Sequence, residues 1–410
     1  MDRRQLCEGI YSQRQMPLKD EIKAIASEIR DDILAKRRHL HQHPELSFKE
    51  FNTSAFIKKS LDEWGIPWMP AANTGVIATL QGNKTDKTIA LRADMDALPI
   101  QEETNLTFKS INHGVMHACG HDLHVASLLG VAHILKRLEK KINGTVKLVF
   151  QPAEEILPGG AIKILQEGVL LNPKVDVILG QHIMPSIESG KVGIRKGRFM
   201  ASMDEIRIKV KGKGGHGAEP HNNNDPVVAA STIIVTLQQI VSRSNNPKTP
   251  SVLSFGKIEA NGSTNIIPDV VFIEGTFRTM DEHWREEAHK KIIEVSKSVA
   301  GGLGCECDID IKRGYPCLHN CETLTDKIHS YMREYIGDTN IIETDIWMAS
   351  EDFAYYAQNF SSCFYLLGTG YYGRTNPSLH TPTMEINEEC IETGMGLMSY
   401  LTFRYLNLTE

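Results

Sequence analysis

Long apolar runs are missing from this 410-residue chain. No uninterrupted stretch approaches the ~20 residues that a membrane helix needs. The stretch Met1 to Lys19 is polar and charged and lacks the apolar core of a secretory signal, so a cytoplasmic protein without a membrane partner is expected. A basic excess is missing as well. Lysine and arginine total 45 against 51 acidic residues, a net charge of −6, which argues against nucleic-acid binding by bulk charge. Internal repeats and low-complexity segments are absent. The cysteines lack a pairing signature. Cys7, Cys119, Cys305, Cys307, Cys317, Cys321, Cys363 and Cys390 read as free thiols of a reducing compartment. Cys305-Glu306-Cys307 and Cys317-x-x-x-Cys321 miss the spacing of a zinc ribbon, and no nearby histidine completes one. What remains is ordinary globular composition, 41% hydrophobic and 23% charged, in a length that suits two domains or one with an insertion.

The periodicities divide the chain. Helices are expected over Ile22 to His41, Ser54 to Trp64, Val125 to Leu138 and Gly160 to Glu167. Strands are expected over Gly75 to Leu80, Thr88 to Arg92, Thr145 to Phe150 and Val175 to Leu179. Strands alternating with helices point to an α/β fold with a largely parallel sheet. The texture changes near residue 200. Glu205 to Lys211 alternates polar and apolar residues, the mark of a half-exposed antiparallel strand. A helix over Pro226 to Ser242, strands over Ser251 to Ile258 and Val270 to Arg278, a helix over Asp281 to Ala300 and a strand over Asp308 to Lys312 follow. That order is the split β-α-β-β-α-β pattern of a ferredoxin-like module. The expected organisation is an α/β domain over 20–199 and 314–410, interrupted by an α+β insertion over 200–313.

Chemistry concentrates after the strands of the α/β part. Met116-His117-Ala118-Cys119-Gly120-His121-Asp122 precedes a helix. On an extended segment Cys119 and His121 point the same way, and thiolate with imidazole suits a zinc-like metal. A buried cysteine beside a structural histidine explains that segment about equally well. Gln151-Pro152-Ala153-Glu154-Glu155 places two carboxylates after a buried strand. One can bind a metal while the other reaches a metal-activated water, the division of labour of metal-assisted hydrolysis. His182 follows VDVIL, and His380 sits in Ser378-Leu379-His380-Thr381-Pro382. A lone histidine is more often solvated or satisfied than ligating; agreement among four such segments is what raises the metal reading.

Ten segments in order give the chain a resemblance to a known family. RRHLHQHPELSF (37–48), LRADMDALPI (91–100), MHACGHDLHVA (116–126), FQPAEE (150–155), the QH at 181–182, GGHGAEPH (214–221), NIIPD (265–269), GTFRT (275–279), SEDF (350–353) and SLHTP (378–382) resemble the M20 metallopeptidase family. Within it they look like the amidohydrolase branch, which includes hippurate hydrolases, N-acyl-L-amino-acid amidohydrolases (aminoacylases) and auxin-conjugate hydrolases. The resemblance implies a zinc-peptidase-like catalytic domain with an inserted lid and dimerisation domain, working as a homodimer. It implies two divalent metals per subunit (Zn, Mn, Co or Ni) on Cys119, His121, Glu155, His182 and His380, with Glu154 as general base. Five ligands are one short of three per metal, so one bridges or one site is more open; Cys119 is the candidate bridge. Asp96 matches a residue that orients a ligand or the base. His216 matches a lid residue that polarises the scissile carbonyl, usually in the partner's site. Asn265 and Arg278 match lid residues that hold the substrate's carbonyl or carboxylate. The implied reaction is hydrolysis of an N-acyl amino acid to a carboxylic acid and a free amino acid. A metallo-dipeptidase or carboxypeptidase, or a non-catalytic ligand-binding homologue, stands as the alternative.

Overall fold

The structure, a computed structural model, describes residues 16–407. Cys7, most of the amino-terminal stretch discussed above and the last three residues of the 314–410 segment lie outside the described residues. The chain begins with α1 (Leu18–Gln42), α2 (Phe51–Glu63), β1 (Trp68–Ala71), β2 (Gly75–Gln81), β3 (Asn83–Asp94), α3 (His121–Arg137), β4 (Asn143–Gln151), α4 (Gly160–Gln166), β5 (Val177–Glu188), β6 (Val192–Ile194) and β7 (Gly197–Met200). Next come β8 (Asp204–Lys211), β9 (Gly215–His216), α5 (Pro226–Gln239), β10 (Ser251–Ala260), β11 (Ile266–Ile267), β12 (Val270–Thr279), α6 (Glu282–Gly302) and β13 (Glu306–Arg313). The chain ends with β14 (Leu318–Asn320), α7 (Glu322–Ile336), β15 (Ile341–Glu343), α8 (Ala354–Asn359), β16 (Ser361–Gly370) and α9 (Cys390–Leu406).

The larger sheet runs β1-β2-β4-β3-β5-β16-β6-β15. Its centre, β4-β3-β5-β16, is parallel, and antiparallel pairs occur on both sides of it. Helices cover both faces. On one face α1, α3 and α9 pack Ile33, Leu129 and Leu401 against the sheet; on the other, the α4 and α8 side buries Phe353, Tyr356 and Phe364. Double coverage is why β4 reads as a near-continuous apolar run. Lys147 is its exception: the buried ammonium donates to the carbonyls of Val169 (2.7 Å) and Asn172 (2.9 Å).

The second sheet, β10-β12-β8-β13, is antiparallel throughout, the strand order of a ferredoxin-like module. Ile206, Ile208 and Val210 of β8 face α5 and α6, while Arg207 points to solvent. Asp225 caps α5 by accepting from the Val227 (2.8 Å) and Val228 (3.3 Å) N–H groups, and Pro226 opens the helix. Pro226–Ser244 is long and apolar enough to cross a membrane by length and composition alone, although Ser231, Thr232, Thr236 and Gln238 interrupt it. It packs Ala229, Ala230, Ile233 and Leu237 on the sheet and leaves Val227, Val228 and Val235 exposed.

Two elements near the site depart from expectation. The helix read from Val125 begins at His121, because the left-handed Gly120 starts it four residues earlier. The strand read over Val175 to Leu179 runs from Val177 to Glu188, so His182 lies inside it rather than after it. Polar residues in that strand broke the apolar run; parallel pairing with β16 carries the backbone through them. The seven described cysteines are free thiols.

Candidate metal centre

Four segments meet at the carboxyl edge of the parallel strands, the usual site position in an open α/β sheet. Gly120 aims the first. Its φ is 77°, which favours glycine, and a Cβ there would lie 2.2 Å from Ile183 Cδ1, so any larger residue would be strained and would displace that side chain. Cys119 and His121 therefore do not share an extended segment, as expected from spacing. They converge because Gly120 folds the chain back at the helix start. Ala153 (φ 51°) and His380 (φ 61°) are also left-handed, a strain of about 1–3 kcal/mol each. Both are tied down. The Ala153 N–H donates to Glu50 Oε1 (2.8 Å), and its carbonyl accepts from the Gly160 N–H (2.9 Å). The His380 N–H donates to the Ala118 carbonyl (2.9 Å), which stitches its loop to the segment before Cys119.

The donors then point inward. His121 Nδ1 donates to Asp96 Oδ1 (3.3 Å), leaving Nε2 3.9 Å from Glu155 Oε1. His182 Nδ1 donates to the Ile183 carbonyl (2.7 Å), leaving Nε2 3.5 Å from Cys119 Sγ. His380 Nε2 lies 3.3 Å from Cys119 Sγ and 3.4 Å from Glu155 Oε1. A histidine whose second nitrogen is held is a ligand prepared in its tautomer. His121 Nε2 and Glu155 Oε1 are buried and have no hydrogen-bond partner among the described residues. Orphaned buried polar atoms are costly, and one divalent cation would satisfy both. Thiol, imidazoles and carboxylate are also the donor chemistry of transition-metal sites, so these residues fit such an ion. His124, which is close enough to join, is already used: its Nδ1 donates to Asp94 (2.5 Å) and its Nε2 accepts the Ile183 N–H (2.8 Å).

Electrostatics tell the same story. Burial, then the Glu155 and Glu154 carboxylates, push the Cys119 thiol well above its usual range. Burial pulls the His121 imidazole down, but Asp94 and Asp96 outweigh it and lift the group to about 10. Burial, then Glu351, Glu155 and Asp352, hold Glu154 well above the usual carboxylate range. Protons thus sit on groups that a cation would displace them from. Asp96 organises the cluster. It accepts from Ser47 Oγ (2.6 Å), from His121 and from the backbone N–H groups of Glu154 and Glu155 (3.0 Å each).

The lid's expected residues separate into two groups. Arg278 lines the cleft of about 520 Å³ beside Cys119, Glu154, Glu155, His182 and His380. Its Nη1 donates to the Met348 carbonyl (3.4 Å) and Ser350 Oγ (3.3 Å). His216 and Asn265 adjoin each other, with Ile266 paired to His216 and the Gly217 N–H donating to the Asn265 carbonyl (2.9 Å). Neither lines the cleft of its own chain. Several site residues escaped sequence reading. Buried Arg92 donates to Asp94 (2.5 Å), Gln151 (2.9 Å), Glu351 (2.8 Å) and Asp352 (2.8 Å), fastening β3 to β4 and to the SEDF segment. A lone arginine inside an apolar strand was the available signal. Tyr315, whose hydroxyl donates to the Glu154 carbonyl (2.5 Å), gave none.

A buried thiol, imidazole and carboxylate cluster beside a second carboxylate, under a cationic lid residue, defines a metal-dependent hydrolase site. The chain belongs to peptidase family M20/M25/M40, whose model matches residues 90–403. It is 40% identical over 378 residues to the N-acetyl-L-cysteine deacetylase of Bacillus subtilis, covering 92% of this chain and 89% of that one. It is 43% identical over 298 residues to the N-acyl-L-amino acid amidohydrolase of Geobacillus stearothermophilus, covering 72% and 80%. A crystal structure of a Bacillus subtilis protein, described as a dinuclear metal-binding peptidase of the M20 family, superposes with a TM-score of 0.81 at 34% identity over 94% of this chain and 100% of that one. The chain is a hydrolase of the amidohydrolase kind within this family.

Proposed function

We propose that the protein cleaves the amide bond of N-acyl amino acids, releasing a carboxylic acid and a free amino acid, with two divalent ions per subunit drawn from Zn, Mn, Co and Ni. The observation that carries this is the buried pair His121 Nε2 and Glu155 Oε1, neither of them hydrogen-bonded among the described residues, set among Cys119, His182 and His380 with Glu154 on the cleft wall. Those five residues would hold the ions, with Cys119 Sγ close to both His182 and His380. When bound, the ions supply Lewis acidity toward a carbonyl and make water a nucleophile near neutral pH. Glu154 takes the proton from the attacking water and delivers it to the leaving amine. Asp96 is a positioning residue that registers His121 against the Glu154-Glu155 backbone. Arg278 offers a planar fork to the substrate carboxylate.

His216 and Asn265 complete the partner subunit's cleft in this reading, so the working form is a homodimer. Two facts support it: neither lines its own cleft, and α5 leaves Val227, Val228 and Val235 for a second copy to cover. The catalytic part is 20–199 with 314–410, and the lid is 200–313. A reducing cytoplasm suits a centre that needs Cys119 as a free thiol. The test is release of free amino acid from hippurate and N-acetyl amino acids, before and after chelation. Turnover that survives verified metal removal refutes the mechanism.

A further inference from the structure

Beside the cleft lies a second chamber of about 510 Å³, well within the range of small-molecule sites of about 300–1,000 Å³. The two share Trp347 and Leu379 as walls. Trp347 stands edge-on to His182, ring centres 5.9 Å apart, and Leu379 directly precedes His380. The chamber therefore opens next to the metal-ligating side chains. Met184, Pro185 and Pro377, with the shared pair, give it an apolar side; Ser186, Arg374, Thr375, Asn376 and Ser378 make the rest of the lining polar, and Ser186 and Thr375 are exposed. Two contacts brace the loop that forms its far side. Asn376 accepts the Tyr371 N–H (2.9 Å), and the Arg374 guanidinium stacks 3.7 Å from the Tyr371 ring centre.

We infer that this chamber receives the distal part of the substrate's acyl group and sets the enzyme's acyl-length preference. The inference rests on the amide-hydrolase reading above. The choice of acyl group over amino-acid side chain follows from where the walls come from. No chamber residue belongs to the lid sheet or its helices; all are carried by the part that bears the metal ligands. Arg278, the anchor for the substrate carboxylate, is on the lid strand β12. An amino-acid side chain leaves the same carbon as that carboxylate and stays near the lid. The acyl chain leaves from the other side of the scissile carbonyl, past His182 and His380, toward Trp347 and Leu379, which line both cavities.

Each methylene buried there should raise kcat/KM by roughly threefold to fourfold. In wild type, kcat/KM should therefore climb steeply from N-acetyl to N-octanoyl substrates of one amino acid. Ser186→Trp and Thr375→Trp, both at exposed positions, should fill the chamber and flatten that climb to within about threefold. Calorimetric titration with octanoate gives a readout independent of turnover: binding should weaken in both variants by about tenfold or more. An acyl-length profile and octanoate affinity unchanged by both substitutions overturn the inference, even with hydrolysis intact. So does a penalty that follows amino-acid side-chain length instead of acyl length. If no N-acyl amino acid is cleaved yet the substitutions abolish octanoate binding, the chamber stands and the reaction reading falls.

Discussion

Glu50 gives the sharpest test of how the site is held. The side chain is fully buried, and its carboxyl accepts from the Phe48 N–H (3.0 Å), the Ala153 N–H (2.8 Å) and the Thr74 hydroxyl (2.7 Å). Burial favours the neutral acid, while the three donors favour the carboxylate. Burial, helped by the Asp96 charge, wins and lifts the group from 4.5 to about 7. The folded state then keeps a proton that the unfolded chain has released. Stability from this group is complete below pH 4.5 and is lost as pH rises through about 7. At about 1.4 kcal/mol for each pH unit across that window, the loss is about 3 kcal/mol. Glu50→Gln removes the titration and keeps an acceptor for the Ala153 N–H and a polar contact to Thr74. Urea unfolding of chelated protein between pH 5.5 and 8 should show the variant gaining about 2 kcal/mol on wild type as pH rises. Its turnover should stay within about threefold, because Ala153 still turns the chain into Glu154. Parallel pH profiles for the two proteins refute the reasoning. A variant that loses ground with rising pH means the three donors outweigh burial.

Other expectations follow from the site. Glu154→Gln should keep its metal and lose activity by ~10²–10⁴-fold, whereas Glu155→Gln should also lose metal; elemental analysis beside kinetics separates them, and near-normal turnover by Glu154→Gln defeats the general-base assignment. Esterifying the substrate carboxylate should lower kcat/KM far more for wild type than for Arg278→Ala, and Arg278→Lys should already weaken free-acid substrates; equal penalties in wild type and Arg278→Ala show that the guanidinium does not read the carboxylate. Mixed Glu154→Gln and His216→Ala chains should regain part of the activity through hybrid dimers; no recovery despite proven subunit exchange places His216 in cis or outside the mechanism.

The sequence revealed those parts whose chemistry is local. Metal-type side chains before a helix, after a strand and in a short loop marked Cys119, Glu155 and His380 as candidates, and period-two alternation in β8 marked the lid sheet. His182 became a candidate for a partly wrong reason, since β5 does not end before it. Cys119 and His121 converge through a left-handed glycine that no alternation rule describes. What stayed hidden is long-range. Arg92 meets Glu351 and Asp352 from about 260 residues away, and Tyr315 reaches Glu154 from 161 away. Charged residues in such contacts resemble surface residues locally, because only the fold supplies their partners. Trp347 looked unremarkable for the same reason: its two cavities come from segments far apart in the chain.

Asp96 explains how the proposed metal ligands and general base, carried by separate segments, can still be exact in placement. Its carboxylate receives four donors: Ser47 Oγ, His121 Nδ1 and the Glu154 and Glu155 N–H groups. A carboxylate has about four lone-pair sites, so this one is saturated. The donors come from the segment before α2, the start of α3 and the loop after β4. No one of these segments can shift without breaking a charge-assisted hydrogen bond in a buried setting. Hydrogen bonds from His121 and Ser47 overcome the burial that would otherwise raise Asp96, and they keep it ionised as the acceptor all four need. His121, the proposed ligand, and Glu154, the proposed base, are thereby referenced to one atom pair rather than to separate loops. Arg92 extends the same logic one layer down, binding Asp94 beneath His121 and Glu351 beside Glu154. Precision at the reacting atoms is inherited from strand β3, which carries Arg92 and Asp94 and leads directly into Asp96.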